Sequence, residues 1–197
     1  MTPSARRLAV TLALVGAAAL AGGLASAAEP AAGVAGPALV TVSGAIANPD
    51  RAPLDAAEDR LFVFNEIAFD KARAFDAVEL AALPQATVRT DFPMGGPFVT
   101  FTGPTLADVL DAAGATDATD ADNAVVTLHA IDGFALEASV ADLVGRGAVL
   151  ATARDGRPLG IGDLGPAQLV FPRADRPDLA EMNDDWWIGQ VFHIAVE

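Results

Sequence analysis

The sequence contains no cysteine among its 197 residues. The chain therefore cannot form a disulfide, and it has no thiolate to offer a metal ion or a substrate. Histidine is nearly as scarce, because His129 and His193 are the only two. Two imidazoles do not make a zinc site without a third ligand, and none is spaced nearby, so a structural or surface role is expected for both.

Basic residues are also few. Lysine and arginine number 12 against 26 aspartates and glutamates, which gives a formal charge of −14, and Lys71 is the only lysine. A domain this acidic repels nucleic acid and anionic membrane surfaces, so neither is expected as a partner. Solubility alone is a sufficient role for such a charge.

A long apolar run occurs once, near the N-terminus, where Arg6 and Arg7 precede LAVTLALVGAAALAGGL. The small-residue site ASA at 25–27 follows at once, which is typical of a cleaved secretory signal peptide over residues 1–27; an uncleaved N-terminal helix is the alternative. Cleavage would remove both arginines and leave residues 28–197, with a formal charge of −16. The expected location is the periplasm or the cell exterior.

After a flexible lead-in of Ala, Gly and Pro over residues 28–37, the sequence predicts a single domain over residues 38–197. Alternating and β-branched apolar runs predict its strands. They are ALVTVSG (38–44), RLFVFNEIAF (60–69), QATVRTD (85–91), PFVTFTG (97–103), AVVTLHA (124–130), FALEA (134–138), AVLATA (148–153), AQLVFP (167–172) and IGQVFHIAV (188–196).

Capping residues predict three short helices. Asp76 can accept hydrogen bonds from first-turn amides and Glu79 can reach back, as in a capping box. Thr105 caps the clearest helix, and Gly114 stops it. The helices are FDAVELAAL (75–83), TLADVLDAAG (105–114) and SVADLV (139–144), the last closed by Gly145. With more strand than helix in irregular order, the sequence indicates an α+β fold with a mixed β-sheet and short helices, and not a doubly wound parallel sheet.

The segment GIGDLG at 160–165 matches the dinucleotide-binding pattern, with acidic residues about 20 positions on at Asp184 and Asp185. That pattern works only where a strand feeds the first glycine and a helix begins at the third, so that helix amides meet the pyrophosphate. Here a turn precedes the glycines, and Pro166 and a β-like run follow them. We therefore expect a loop between two strands and no dinucleotide.

Two further motifs are incomplete. DATDADN at 117–123 resembles the start of a calcium loop, but it lacks the glycine at the sixth position, and Leu128 stands where the glutamate should be. A solvated acidic loop is expected instead. No G-x-S-x-G surrounds Ser43 or Ser139, so nothing supports a serine hydrolase.

Trp186 and Trp187 are expected at the start of the last strand, with their side chains on opposite sides of the sheet. One would pack into the core, and the other could line a ligand or partner surface.

Four segments in the last 120 or so residues resemble the sulfite oxidase-type molybdopterin-binding domain in order and spacing. FTGPTLADVLDAAGA is similar to that family's W-T-G-x-x-L-x-D-L-L-x-x-A-G segment, and DGF at 132–134 to its DGY turn. ARDGRPLGIGDLGPAQLVFP resembles M-N-G-x-P-L-x-x-x-x-G-x-P-x-R-L-V-V-P, and WWIGQVFHIAV resembles x-K-W-I-x-x-I-x-V. The resemblance covers residues 75–197 and implies that family's fold.

In that family a cysteine thiolate holds the molybdenum, in a segment like L-Q-C-x-x-N. The matching segment here is VRTDFP, which places Thr90 at the cysteine position and offers no asparagine. A hydroxyl is a poor substitute for a thiolate. Trp186 replaces the lysine before the family's final Trp. The chain also has no tyrosine, a residue that the family's active sites commonly use near the metal. Arg6-Arg7 is followed by LAV, which fits export of an unfolded chain without cofactor better than twin-arginine export.

The leading hypothesis is an exported domain of this fold that lacks the metal and any catalytic residue. It would act as a ligand-binding or sensing module, or as an accessory to a membrane-bound partner protein. Its remnant pocket would be lined by Arg89, Thr90 and Asp91, with His129, Arg157 and Trp187 as neighbours. Arg89 or Arg157 could hold a small anionic ligand bidentately, or could be ordinary surface charge.

Two alternatives stay open. The first is an active molybdopterin-dependent oxidoreductase whose metal is held by pterin alone or by an oxygen of Thr90 or Asp91. The second is a structural or protein-interaction domain of the envelope, in which the acidic surface and Trp186-Trp187 form the contact surface.

Overall fold

The computed structural model describes residues 36–115 and 124–197. The predicted signal peptide (1–27), most of the predicted lead-in and the acidic loop at 117–123 lie outside the described residues. The described residues fall within one compact unit, Ala35–Glu197. No helix among them is long and apolar enough to cross a membrane.

The strands are short, and the helices span five to seven residues. In chain order the strands are β1 Val40–Gly44, β2 Ala72–Phe75, β3 Gln85–Asp91, β4 Phe98–Pro104, β5 Val125–Ala130, β6 Ala135–Ser139, β7 Val149–Ala151, β8 Ala153–Arg154, β9 Arg157–Pro158, β10 Gln168–Val170 and β11 Val191–Val196. The helices are α1 Arg60–Phe64, α2 Ala77–Ala82, α3 Leu106–Ala112 and α4 Val140–Gly145, and 3₁₀ turns cover Arg173–Asp175, Pro177–Leu179 and Asp184–Trp186.

The described strands form three sheets. A five-stranded sheet has the order β2-β1-β11-β5-β6, a four-stranded sheet has the order β3-β4-β8-β9, and β10 pairs with β7. The β1–β11 pair is parallel, with Thr41 opposite His193, whereas the other pairs are antiparallel. The five-stranded sheet is therefore mixed, as the sequence predicts.

The five-stranded sheet has two different faces because successive strand residues point to opposite sides. Val42, Leu128 and Ile194 belong to the main core, which the other two sheets and α3 complete. The opposite face carries His129 and His193 and is covered by a small cluster of Phe62, Ile67, Phe69, Ala72 and Phe192. This second cluster is the setting of both histidines.

The capped helices form where the sequence predicts them. Asp76 accepts from the amides of Val78 and Glu79, and Glu79 accepts from the Asp76 amide, which completes the capping box. Thr105 caps α3, and Gly114 then takes a φ of +75°. A Cβ at Gly114 would lie 2.9 Å from the Asn48 amide nitrogen, so both its φ and its neighbours favour glycine.

The strand predicted over RLFVFNEIAF is wrong: Arg60–Phe64 form α1, and residues 65–69 form a turn and an irregular segment. The contacts that these residues make in the folded protein outweigh their preference for a strand. Asp59, at the start of α1, is ion-paired with Arg51, and Phe62 packs edge-on against Phe69 with ring centroids 5.3 Å apart. Phe64 is left exposed, so the segment does not behave as a half-buried strand.

The GIGDLG segment lies in the connection between β9 and β10, as expected. Ile161 and Gly165 form an isolated bridge within it, and a strand follows, beginning at Gln168. Because no helix starts at the third glycine, the segment has no helix N-terminus to offer a pyrophosphate.

Candidate functional site

Thr90 lies near the end of β3, opposite Val99 of β4. Val88 and Thr90 are buried whereas Arg89 is exposed, as the alternation of a strand requires. The Thr90 side chain is fully buried, and its Oγ1 has no hydrogen-bond partner among the described residues. The residue at the predicted ligand position is thus a buried neutral hydroxyl.

Asp91 follows Thr90, and both of its carboxylate oxygens are engaged. Oδ2 accepts from the Gly95 amide at 2.7 Å, and Oδ1 accepts from Nε of Arg173 at 3.0 Å. The Gly95 N–H, and then the bond and charge of Arg173, lower the pKa of Asp91 below its usual value, although burial acts in the opposite direction. Asp91 is therefore an ionised group that is already paired.

Arg173 is the centre of this region, and the sequence did not single it out. Its side chain is 3% exposed. Besides Asp91 Oδ1, it donates to the backbone oxygen of Asp91 at 2.6 Å, to the oxygen of Met182 at 2.7 Å and to Oδ1 of Asp184 at 2.8 Å. The other Asp184 oxygen accepts from the Met94 amide at 2.7 Å. The guanidinium thereby ties β3 to the C-terminal segment.

Trp187 packs against the same region. Its ring stacks on Phe92, with centroids 5.4 Å apart and planes 10° apart, and the guanidinium carbon of Arg173 lies 4.7 Å from its centroid. It is 5% exposed, and its Nε1 has no hydrogen-bond partner in the described part of the chain. The predicted strand position of Trp186 and Trp187 is wrong: a 3₁₀ turn ends at Trp186, and β11 begins only at Val191.

The structure brings Thr90, Asp91 and Trp187 into one region, but not the other three predicted residues. Arg89 is on the exposed face of the four-stranded sheet, with its guanidinium carbon 4.2 Å from the Phe98 ring centroid. His129 is on the five-stranded sheet. Arg157 is exposed in β9 and lines a separate cavity of about 290 Å³.

A larger cavity, of about 480 Å³, lies beside Trp187. It is formed by the β5–β6 turn, the loop between β9 and β10 and the segment before β11. None of its lining residues is basic. The residues that matter for its chemistry are Asp132, Phe134, Asp184, Asp185, Trp187 and Gln190.

His193 is the deepest titratable group on the other face of the five-stranded sheet. Its Nε2 lies 2.8 Å from Oγ of Ser43, whereas its Nδ1 has no partner among the described residues. The His129 ring is 5.1 Å away, between centroids. Burial first, and then the charges of His129 and Arg51, lower the pKa of His193 to about 3. Without a carboxylate at Nδ1, the Ser43–His193 pair is not a catalytic triad, and an imidazole of this pKa is a poor general base.

The residues around Thr90 do not fit a molybdenum centre held by the protein. The thiolate is missing, Thr90 offers a buried neutral hydroxyl, and both Asp91 oxygens are already bonded. No group of three or more histidine, aspartate or glutamate side chains in the described residues is arranged to hold a metal ion. The site thus offers a molybdenum ion no anionic donor that is not already bonded within the protein.

Comparison with known proteins supports the fold alone. No family model and no curated protein matches the sequence. Among solved structures, the chain is similar to the sulfane dehydrogenase SoxCD from Paracoccus pantotrophus, with a TM-score of 0.52 and 14% sequence identity over 81% of this chain. The chain corresponds to 38% of that chain's length. The predicted fold class, α+β with a mixed sheet and the sulfite oxidase-type architecture, is confirmed, and the relationship is distant.

Proposed function

We propose that this chain is a binding module built on the sulfite oxidase-type molybdopterin-binding fold, and not a molybdenum oxidoreductase. The observation that carries the proposal is the arrangement at Thr90 and Asp91. One residue offers a buried neutral hydroxyl, and the other is a carboxylate already bonded by Gly95 and Arg173. A neutral hydroxyl is a poor substitute for a thiolate, and the carboxylate is already engaged.

The cluster around Arg173 gives this region a structural role. A buried guanidinium between Asp91 and Asp184 is stable only while its partners stay in place, because an unpaired buried charge is costly. A ligand that recruited Asp91 would have to break the Arg173 contacts first. The region therefore holds β3 against the C-terminal segment instead of opening to a metal.

The binding role itself rests on the cavity beside Trp187. Its volume of about 480 Å³ is within the range of roughly 300–1,000 Å³ that is common for small-molecule sites. The signal-peptide pattern at residues 1–27 supports an exported protein that works outside the cytoplasm, as a sensor or as an accessory to a membrane-bound partner. The anionic ligand expected at Arg89 or Arg157 stays a prediction, since neither residue lines this cavity.

The test is metal and pterin analysis of the full chain, expressed with its N-terminal segment in a host that makes molybdopterin and purified from the periplasm. We expect a folded protein with molybdenum far below one atom per chain and no fluorescent pterin oxidation product. A sulfite oxidase-type enzyme with its cysteine, purified from the same host, is the positive control. Stoichiometric molybdenum together with pterin would overturn the proposal.

A further inference from the structure

The cavity beside Trp187 has an acidic rim. Asp132, Asp184 and Asp185 contribute carboxylates, and no lining residue is basic. Asp184 is paired with Arg173 beneath the surface, whereas Asp132 and Asp185 form no salt bridge in the part of the chain that the structure describes. The cavity therefore has uncompensated negative charge at two carboxylates.

The two free carboxylates are held in place by local hydrogen bonds. Oδ1 of Asp132 accepts from the Phe134 amide at 3.0 Å, which fixes the β5–β6 turn. Oδ2 of Asp185 accepts from the side-chain amide of Asn183. Among the described residues, each carboxylate keeps one oxygen without a donor, so both are oriented acceptors.

The rest of the lining is suited to an apolar group. Phe134 is half exposed at the rim, and Leu164 and Ile188 form other parts of the wall. Trp187 is almost fully buried and stacks on Phe92, and its indole N–H has no partner in the described part of the chain. An exposed aromatic ring next to carboxylates attracts cations through its π-face as well as apolar groups. The cavity thus combines negative charge with apolar surface.

We propose that this cavity binds a small organic cation, an amine or ammonium group carried on an apolar body. The inference rests on the proposed binding role and names the class of ligand for it. The ammonium would lie between the carboxylates of Asp132 and Asp185, and the apolar body would pack on Phe134 and Ile188. The overall charge of the chain, −14, favours the approach of such a ligand.

A bare metal ion fits this cavity less well. Calcium and magnesium require several oxygen ligands around one point, at about 2.0–2.6 Å. The acidic residues of this cavity do not form a group of three that could hold a metal, as is true of the described residues generally. An ammonium group needs no such shell of ligands, because one hydrogen-bonded carboxylate is enough to pair it.

The experiment measures binding of phenethylamine to the purified protein by calorimetry and by tryptophan fluorescence, at low ionic strength. Phenethyl alcohol and phenylacetate are the neutral and anionic probes of the same shape. We expect the amine to bind at least tenfold more tightly than either of them, and to bind more weakly as salt is added. Equal affinity for phenylacetate would overturn the inference, and so would failure of the amine to bind.

Variants locate the site. Asp132→Asn and Asp185→Asn each keep the oxygen that accepts the local hydrogen bond but remove the charge, so both should fold. We expect each to weaken amine binding about fivefold, because one charge about 4 Å away at the water-exposed rim is worth about 1 kcal/mol. Asp70→Asn is the matched control, since Asp70 lines a different cavity and its loss changes the net charge equally.

Three outcomes separate the possibilities. If the Asp70 change weakens binding as much as the two cavity changes do, the effect is that of net charge alone and the inference fails. If calcium binds stoichiometrically and displaces the amine, the site is a metal site and the inference fails. A protein without molybdenum that also binds no amine refutes this inference and leaves the proposed absence of a metal centre intact.

Discussion

Arg173 and His193 are the two buried basic side chains of the described residues, and the protein treats them in opposite ways. Arg173 is a cation with four hydrogen bonds, two of them to carboxylates. His193 has one hydrogen-bond partner among the described residues, Ser43, and its lowered pKa keeps it neutral above about pH 3. Of these two buried groups, only the one with acidic partners around it carries a positive charge.

The difference follows from which residues surround each group. The 3₁₀ turn at Asp184 and the end of β3 at Asp91 both present carboxylates to Arg173. The face around His193 presents aromatic rings and a second imidazole, and the nearby Arg51 is a further cation whose own partner is Asp59. A proton on His193 would therefore gain no anion and would face positive charge.

The largest effect is expected for Arg173→Met. The change removes the cation but leaves Asp91 and Asp184, which are partly buried and lose their partner. Breaking a buried ion pair in this way costs about 3–5 kcal/mol, and we expect the lower end because both carboxylates keep some exposure to water. Urea unfolding followed by circular dichroism gives the change in the free energy of unfolding.

Arg176→Met is the control for that prediction. The Arg176 side chain is 39% exposed, and it is paired with Asp178, two residues along the chain. Exposed pairs contribute about 1 kcal/mol at most, so the control should lose far less stability than Arg173→Met. Equal losses of unfolding free energy in the two variants would contradict the prediction, because they would show that the buried arginine stabilises the protein no more than Arg176 does.

The next effect concerns pH. His193 has a pKa of about 3 in the folded protein and an ordinary value near 6.5 when unfolded, so the unfolded chain binds more protons between these values. Stability is therefore complete above pH 6.5 and falls as the pH falls, by about 2 kcal/mol between pH 7 and pH 5 from His193 alone. Burial also lowers the pKa of His129, which acts in the same direction.

The matched variant is His193→Gln, which can still hydrogen-bond Ser43 but does not titrate. Its free energy of unfolding should fall less steeply over the same range, with His129 still contributing. The carboxylates of Asp76 and Asp91 do not contribute to this change between pH 7 and pH 5. Their pKa values lie below the ordinary value near 4, so their protonation lowers the stability of the protein only at lower pH. Parallel pH profiles for the variant and the wild type would show that His193 is not a buried neutral base.

The sequence alone predicts those structural features that depend on residues close together along the chain. The Asp76–Glu79 capping box spans four residues, and it appears as expected. The Arg173–Asp91 pair joins residues 82 positions apart, and nothing local in FPRAD signals it. The helical conformation of α1 cannot be predicted from its own residues, since Phe62 is placed partly by its contact with His193 of β11. The family resemblance located Thr90 but could not show that it is buried among packed neighbours.

The smallest effect is expected for Arg89→Ala, which tests whether an exposed arginine on β3 behaves like the buried Arg173. Arg89 is exposed and lies over the ring of Phe98, which is 54% exposed. A cation–π contact in water is worth about 0.5–1 kcal/mol, so the free energy of unfolding should fall by no more than that. Arg89→Leu, which keeps apolar contact with the ring, should recover part of the loss. A loss as large as that of Arg173→Met would mean that Arg89 holds a buried partner, and the exposed face of this sheet would then have to be reconsidered as the functional surface.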